Sequence, residues 1–355
     1  MEIRKKLFFF FLFFSSIFSL FGRELTIESD FDQLLGKETN AWNYIETKED
    51  FSQLEKYKNL YEKNKSLQFQ EQKEYKIPKI IHFIWVGPKN FPTQSIENIR
   101  TWIAQHPGWK VKFWTDRERP APCKEMEKII LKDYPFTKLK SIYEEAINWS
   151  QKADILRFEI LLEEGGIYAD HDANALCSFE KLNQSYDFYG CLETPRKKIS
   201  GFSLMVGIGL VGVKPHHPAI EQTIKIIQRN WKEVKEKYPQ KDKFHEMSRV
   251  MHGTYISLTK ALEKGLEKQG NIDIVFPASY FFAQEGLPSF YSQHFFANTW
   301  VEGIRKTDYQ NAVEHKLSSL SKIIRQTRVG QMLFFFLALI FFFLFLYKIY
   351  KWKKA

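Results

Sequence analysis

The sequence predicts an α/β fold, because short runs of β-branched and aromatic residues alternate with segments of helical periodicity. The first run is residues 79–86 (KIIHFIWV), which stop at a Gly-Pro pair and are predicted to form a buried strand. A helix is predicted over 94–105, and a second strand over 110–114 (KVKFW). The pattern favours a sheet whose strands are joined by crossover helices.

The same alternation continues through the middle of the chain. Residues 150–164 have apolar side chains at helical spacing and end at Gly165-Gly166, a helix stop. A short strand, 167–169, follows at once. Further on, the pattern predicts strands at 203–213 and 271–276, a helix at 218–237 and an irregular aromatic segment at 280–300.

The residues before the first strand differ in character from this body. Residues 23–76 are polar and charged, and Phe51, Leu54, Tyr57 and Leu60 recur at a spacing of three. This spacing predicts a helical stem or appendage ahead of a main domain at 77–310.

Both ends of the chain carry apolar runs flanked by basic residues. Residues 1–22 suit a signal peptide or short signal-anchor, whereas 329–347 are uncharged, long enough to span a bilayer and predicted to be transmembrane. A juxtamembrane segment, 311–328, precedes this span, and a basic tail, 348–355, follows it. The basic ends favour a body on the extracytoplasmic or luminal side, although the basic residues within 311–328 weaken that inference.

The overall charge gives no indication of a nucleic-acid partner. The net charge of +10 lies largely in the two termini and leaves about +4 on the body, without a basic stripe. Cys123, Cys177 and Cys191 show neither zinc-ligand spacing nor an even disulfide framework.

The stretch GGIYADHD, residues 165–172, carries the chemistry. Asp170 and Asp172 follow a short strand and place two hard oxygen ligands within reach of one divalent cation, Mn²⁺ or Mg²⁺. Two aspartates in a turn are also ordinary solvated turn formers. On the preceding helix Asp154 and Arg157 share a face, where they can meet a sugar and a phosphate or simply form an intrahelical surface salt bridge.

At these residues the chain resembles glycosyltransferase family 32, the DXD-containing sugar transferases whose core is shared with glucosylating toxins. The resemblance covers about residues 77–300. Its most specific part is KADILRFEILLEEGGIYADHD (152–172), and the other segments, in order, are IPKIIHFIWVG (77–87), TWIAQHPGWKVKFWTD (101–116), GLVGVKPHHP (209–218), VFPASYFFA (275–283) and HFFANTW (294–300).

The resemblance implies a single nucleotide-binding domain of the glycosyltransferase-A, Rossmann-like type. It also implies a UDP- or GDP-hexose donor, a divalent metal, and retention of configuration during transfer to a glycan, lipid or protein acceptor. By position, Asp170 and Asp172 are the catalytic pair, and with His294 the metal ligands. The donor-binding residues are then Trp85, Asp154, Arg157, Tyr168, Asp170 and Trp300.

Some features depart from the family pattern or leave the mechanism open. His171 stands between the aspartates and is expected to point away from the metal. Glu193 and Glu285 are possible nucleophiles whose positions nothing in the sequence fixes, so front-face displacement by the acceptor is the mechanism we expect.

Two other functions fit parts of the pattern. A metal-dependent hydrolase could use the same carboxylates, but Asp154 and Arg157 would then be unexplained. A non-catalytic, membrane-anchored sugar- or nucleotide-binding protein would tolerate loss of Asp170 and Asp172. Nucleotide-dependent thermal stabilisation that requires Mn²⁺ would indicate a transferase.

Overall fold

The computed structural model describes residues 30–284 and 286–297. Within them a central seven-stranded sheet has the order β3-β2-β1-β4-β7-β6-β8. These strands are β1 Ile80–Ile84, β2 Lys110–Thr115, β3 Glu127–Ile130, β4 Gly166–Ala169, β6 Phe188–Cys191, β7 Leu210–Val213 and β8 Asp273–Phe276. A separate two-stranded ladder pairs β5 (Ala173–Ala175) with β9 (Ser292–His294).

The pairing directions make this a mixed sheet with one reversed strand. Strands β3, β2, β1 and β4 are mutually parallel, and so are β6 and β8, whereas β7 pairs antiparallel with both β4 and β6. Strands β4, β6, β7 and β8 are buried along their whole length, as expected of strands covered on both faces. The α/β prediction is confirmed.

Helices cover both faces of the sheet. They are α1 Phe31–Leu35, α2 Lys48–Asn64, α3 Gln94–Gln105, α4 Lys140–Glu145, α5 Trp149–Glu163, α6 Glu180–Ser185, α7 Pro218–Lys237, α8 Lys243–Val250 and α9 Ile256–Gly265. A π-helical turn, Met251–Tyr255, joins α8 to α9. Helix α5 buries every residue from 154 to 162, which explains why it shows no strong amphipathic stripe.

Most elements predicted from the sequence lie within a residue or two of their predicted places. The strand predicted over 203–213 is an exception, since only Leu210–Val213 pairs into the sheet. The residues before it are irregular or bent, and Gly209 among them lies against the site described below. Strands β3, β5, β6 and β9 and helices α4, α6, α8 and α9 were not predicted.

The N-terminal helical segment is not a stem separate from the main domain. Helix α2 buries Leu54, Tyr57 and Leu60, and packs across strand β8. The Asn64 side-chain amide donates to the carbonyl of Asp273 at 2.8 Å, deep in the same core. Helical character was therefore predicted correctly, but the predicted stem over 23–76 is, from residue 30 onward, part of the main domain.

No helix in the described ranges is long and apolar enough to cross a membrane. The predicted signal or signal-anchor (1–22), juxtamembrane segment (311–328), transmembrane helix (329–347) and basic tail (348–355) all lie outside those ranges.

The start of α2 is held by a buried carboxylate, Asp50. It completes a capping box with Thr47, accepts a hydrogen bond from Ser203 at 3.1 Å and pairs with Lys198 at 2.9 Å. Burial by itself would raise the pKa of Asp50, but the Thr47 amide and the Lys198 ammonium outweigh it and lower the pKa to about 2.

Asp50→Asn is expected to lower the free energy of unfolding at neutral pH by about 2 kcal/mol. Because the folded-state pKa lies below the ordinary value of 3.8, this stabilisation is complete above pH 4. It disappears as the pH falls toward 2. Chemical denaturation from pH 2 to 7 measures it, with Glu49→Gln, an exposed position in the same helical turn, as control. A pH-independent difference would contradict the assignment.

Candidate active site

The candidate site lies where the parallel strands end. Trp85 follows β1 and Asp170 follows β4, while β7, running in reverse, begins just after Gly209 at the same edge. The carboxyl edge of an open α/β sheet is where such folds place their ligand sites, because loops from several strands converge there.

The two aspartates of the DXD motif are placed by a turn. The Ala173 amide donates to the Asp170 carbonyl at 3.1 Å, which closes a four-residue turn with His171 and Asp172 at its centre. The Asp170 amide in turn donates to the carbonyl of Gly209 at 2.7 Å. The motif is thus fixed to β7 as well as to β4.

His294 reaches the motif through the small β5–β9 ladder, in which it is the direct partner of Ala173. Its Nε2 lies 3.4 Å from Asp170 Oδ2 and 3.5 Å from Asp172 Oδ1. One ligand atom from each of the three residues lies within 4.8 Å of the others. Within the described residues, the structure therefore brings together all three predicted metal ligands.

This arrangement fits a divalent cation. Two carboxylates suit Mn²⁺ or Mg²⁺, and octahedral ligands ~2.1 Å from such an ion stand ~3 Å apart, a little closer than the 3.4 and 3.5 Å from His294 Nε2 to the two carboxylates. The second oxygen of Asp172 accepts a hydrogen bond from the Ala297 amide at 2.7 Å, which orients that carboxylate. With 28% of its side chain exposed, Asp170 is the most accessible of the three.

Gly209 leaves the space that the two ligands need. A Cβ atom at this position would lie 2.6 Å from Asp170 Oδ2 and 2.9 Å from His294 Nε2. Both distances are shorter than non-bonded contact permits, so the absence of a side chain at Gly209 is a requirement of the site. The sequence marked this glycine only as part of a glycine-bearing strand.

Arg157 is the centre of a buried polar network behind the aspartates. Its guanidinium donates to Asp154 Oδ1 at 2.7 Å and to the Ile208 carbonyl at 2.5 Å, and lies 3.5 Å from Asp170 Oδ1. It also covers the ring of Tyr168, 4.1 Å from its centre. All of these contacts are with other groups of the protein, and Arg157 is itself buried. Arg157 therefore fixes the position of the Asp170 carboxylate from the interior side of the site.

The other members of the network complete its hydrogen bonding. Tyr168 donates its hydroxyl to Asp170 Oδ1 at 2.6 Å, and Thr254 donates to Asp154 Oδ2 at 2.7 Å. Thr254 comes from the π-helical turn, a hundred residues after Asp154, and was not predicted as a site residue. Asp154 and Arg157 do form the salt bridge of the alternative interpretation. Both side chains are buried, however, so its predicted place on the surface is wrong.

Burial and neighbouring charges together set the pKa values of Asp170 and His294. Burial opposes ionisation of Asp170, but Arg157, His294 and Tyr168 outweigh it and hold the pKa of that carboxyl well below its usual range. Burial also disfavours the His294 imidazolium, yet Asp170, Asp172 and Glu193 together raise the pKa of His294. The pocket therefore favours positive charge where a metal would bind.

The pKa of Asp154 shifts in the opposite direction to that of Asp170, although burial by itself raises both. Burial raises the pKa of Asp154 to about 6, and the partial compensation comes from Arg157 and from the Thr254 hydroxyl. Arg157 is therefore the counter-charge of two carboxylates at once, the buried Asp154 and the partly exposed Asp170.

Arg157→Ala is expected to lower the free energy of unfolding by about 3–5 kcal/mol, because it leaves Asp154 and Asp170 without their shared counter-charge. Arg157→Lys keeps the charge but cannot span both carboxylates and the Ile208 carbonyl, so an intermediate loss is expected. Chemical denaturation measures both, with Arg100→Ala, an exposed arginine on α3, as control. Equal stability of the Arg157→Ala and Arg100→Ala variants would contradict this role.

Trp85 and His171 form an aromatic corner beside the motif. The two rings meet edge to face with centres 5.0 Å apart, and Trp85 Nε1 donates to the Lys89 carbonyl at 2.9 Å. The His171 ring contacts Ser95 through Nδ1 at 2.8 Å, so it points away from the carboxylates as expected. Trp85 is half-buried, and base stacking on it stays a prediction.

The predicted site residues fall into two groups, those within the described ranges and those outside them. Asp154, Arg157, Tyr168, Asp170, Asp172 and His294 form one continuous network. Trp300, the predicted donor contact, and Glu285, one possible nucleophile, lie outside the described residues. Their roles stay predictions.

Comparison with known proteins relates this region of the chain to glycosyltransferases. Residues 92–189 match the family model described as a glycosyltransferase sugar-binding region containing the DXD motif. Subversion of eukaryotic traffic protein A from Legionella pneumophila is 36% identical over 138 residues, 34% of this chain and 21% of that protein. An uncharacterized glycosyltransferase of Acanthamoeba polyphaga mimivirus is 30% identical over 151 residues, 42% of this chain and 55% of that protein.

Among solved structures, the PaToxG glycosyltransferase is similar with a TM-score of 0.44 and 20% identity, over 61% of this chain and 79% of that one. The chain spans from about a fifth to about half of the curated relatives it matches. The matched region contains the Asp154–Arg157 pair and both aspartates of the motif. Residues 92–189 are therefore similar to the sugar-binding region of the DXD-containing glycosyltransferases.

Proposed function

We propose that the protein is a metal-dependent, retaining glycosyltransferase that moves a hexose from a UDP- or GDP-sugar to a glycan, lipid or protein acceptor. The observation that best supports the proposal is the convergence of Asp170, Asp172 and His294 at the carboxyl edge of the sheet. A region that matches the DXD family supplies the first two of them.

The same three residues would hold the cation, Mn²⁺ or Mg²⁺. When bound, the metal would supply Lewis-acid stabilisation of the charge that develops on the diphosphate leaving group. The protein contributes the position of each ligand, through the turn at 170–173, the β5–β9 ladder and the Ala297 amide.

The transfer itself then needs positioning more than an additional catalyst. The bond between the anomeric carbon and the diphosphate oxygen breaks as the acceptor oxygen bonds to the same face of that carbon. The acceptor proton passes to the departing diphosphate. In this front-face displacement the Asp154–Arg157 network holds Asp170 still during the reaction, and preorganisation of this kind lowers the barrier without further movement.

The positions of the predicted donor-binding residues indicate how each would contribute to donor recognition. Trp85 would stack on the nucleotide base, and its position beside the DXD turn, across His171, is consistent with that role. Asp154, Arg157 and Tyr168 are buried and bonded to one another or to Asp170, so their contribution to donor binding acts through Asp170. Trp300, outside the described residues, stays a predicted donor contact.

The decisive test is donor hydrolysis by the full-length protein in detergent, against a panel of UDP- and GDP-hexoses with and without Mn²⁺. We expect release of the nucleoside diphosphate from one donor class, abolished by EDTA, and a rise in melting temperature with that diphosphate only when Mn²⁺ is present. A non-catalytic binding protein would show the stabilisation without turnover. Hydrolysis of simple phosphate esters in place of nucleotide sugars would favour the hydrolase alternative.

We also propose that the protein is membrane-attached, with its main domain extracytoplasmic or luminal. The support is the uncharged apolar run at 329–347 and its basic flank, as the sequence presents them. Extraction of membranes with alkaline carbonate tests the attachment. A full-length protein recovered wholly in the soluble fraction would overturn it.

A further inference from the structure

The π-helical turn between α8 and α9, Met251–Tyr255, brings a hydroxyl group to the interior side of the site. Turns of this kind are rare and are frequent at functional sites. Their extra residue rotates the residues that follow by ~100° relative to a regular helix, so a different side chain faces the neighbouring helix. Here that side chain is Thr254, which is fully buried against α5, the helix that carries Asp154 and Arg157.

Hydrogen bonds at two neighbouring positions hold this turn against one face of α5. The Gln151 side-chain amide donates to the Arg249 carbonyl, just before the turn, at 3.1 Å. The Thr254 hydroxyl donates to Asp154 Oδ2 at 2.7 Å. Gln151 and Asp154 are three residues apart and therefore lie on the same side of the helix. The packing of the turn on α5 thus fixes the place of the Thr254 hydroxyl beside Asp154.

The Thr254 hydroxyl has one proton to donate, and two acceptors lie near it. Asp154 Oδ2 is 2.7 Å away, whereas the Val250 carbonyl is 3.1 Å away. A hydrogen bond to a carboxylate is stronger than one to a neutral carbonyl, so the proton is donated to Asp154. This bond favours the ionised carboxylate. Burial raises the pKa of Asp154 to about 6, and the Thr254 hydroxyl, after Arg157, opposes that rise.

The charge and position of Asp154 decide how Arg157 is shared between two carboxylates. The Arg157 guanidinium donates to Asp154 Oδ1 at 2.7 Å and lies 3.5 Å from Asp170 Oδ1. While Asp154 is ionised and oriented by Thr254, the nearer carboxylate holds most of this charge. If Asp154 loses its charge or its position, Asp170 becomes the main counter-charge of a buried arginine. A tighter Arg157–Asp170 pair would then compete with a cation for the Asp170 carboxylate.

We propose that Thr254 is a positioning residue for the metal site, which acts through Asp154 and Arg157 to keep the Asp170 carboxylate available to a divalent cation. The inference rests on the proposed function, because that function assigns Asp170 to the cation. The contacts run in series from the Thr254 hydroxyl to Asp154, from Asp154 to Arg157, and from Arg157 to Asp170. Thr254 therefore acts on the affinity for the cation and not on the reacting atoms.

The test measures the affinity of the full-length protein in detergent for Mn²⁺ alone, from the electron paramagnetic resonance signal of the free ion at neutral pH. Thr254→Val removes the hydroxyl with little change in volume, and Thr254→Ala removes it with a smaller side chain. Both variants should bind Mn²⁺ about tenfold more weakly than the wild type, because residues within one hydrogen-bonded network are coupled by energies of this order. Thr254→Ser keeps the hydroxyl and should bind Mn²⁺ as the wild type does.

A double-mutant cycle shows whether the effect passes through Asp154. Asp154→Asn removes the charge and should weaken Mn²⁺ binding at least as much as Thr254→Val does. Adding Thr254→Val to Asp154→Asn should then change the affinity by less than about twofold, because the carboxylate that the hydroxyl holds is already absent. Thr223→Val is the matched control. Thr223 is equally buried, but its hydroxyl donates to the Ala219 carbonyl within α7, so Mn²⁺ affinity should be unchanged.

Several outcomes would count against the proposal. Wild-type Mn²⁺ affinity in Thr254→Val and Thr254→Ala would overturn it while the proposed function stands. So would losses that multiply in the double variant, or a Thr254→Ser protein that binds Mn²⁺ as weakly as Thr254→Ala, since packing would then be the cause. If the valine or the alanine variant does not fold, the other still gives the comparison with serine. A wild type that does not bind Mn²⁺ would overturn the metal dependence of the proposed function, and this inference with it.

Discussion

Asp172→Asn is expected to abolish turnover of the nucleotide sugar, with kcat/KM lowered by about 10²–10⁴-fold. The asparagine oxygen can keep the hydrogen bond from the Ala297 amide, so the local fold is retained. The substitution removes the negative charge beside His294 Nε2, and with it one ligand of the proposed metal. Because such a metal contributes several kcal/mol of charge stabilisation in the transition state, its loss accounts for the expected fall in rate. Donor hydrolysis and Mn²⁺-dependent nucleotide binding should both be lost.

The matched control is Asp242→Asn. Asp242 caps helix α8 at an exposed position, and asparagine is an equally good cap, so activity and melting temperature should be unchanged. Wild-type turnover by the Asp172→Asn protein, or by the wild type in EDTA, would remove the metal from the proposed function.

Gly209→Ala should lower turnover about 10²-fold, although it introduces a single methyl group. That methyl would lie 2.6 Å from Asp170 Oδ2 and 2.9 Å from His294 Nε2, so at least one ligand must move. A displacement of ~1 Å at a reacting centre costs roughly two orders of magnitude in rate. We expect weaker Mn²⁺-dependent nucleotide binding in proportion, measured by calorimetry alongside donor hydrolysis.

Gly253→Ala provides the comparison for this substitution. It adds the same methyl group within the π-helical turn, where the nearest atoms are 3.3 Å and 3.5 Å away and alanine favours a helix. Turnover should stay within a fewfold of the wild type. If the two glycine variants are equally active, the close packing of Gly209 against the metal ligands has no functional consequence.

Local pattern was sufficient to predict the part of the site that lies close together in sequence. The helix that carries Asp154 and Arg157, the glycine stop, the strand and the DXD turn occupy about 25 consecutive residues, and a long apolar segment, its glycine stop and turn chemistry specify them. Helices 94–105 and 218–237 were predicted to the residue, because their amphipathic spacing and their stops are unambiguous.

Residues that join the site from far away had weaker signals. His294 lies 124 residues after Asp170 and was identified only through the family resemblance, since a lone histidine in an aromatic loop specifies no partner. Gly209 and Thr254 were missed as site residues for the same reason. Glycine content does not reveal a close approach, and a threonine within a helix is ordinary until the chain is folded.

Helix α2 and strand β8 are in contact in the folded protein, but the ribosome synthesises them far apart in time. The Asn64 side chain bonds to a carbonyl 209 residues further along the chain, so α2 leaves the ribosome about 10–40 s before the strand that covers it. Throughout that interval the apolar face of the helix, with Leu54, Tyr57 and Leu60, has no native cover. Fragments that stop at the end of the DXD region, near residue 189, are accordingly expected to aggregate or to be held by chaperones.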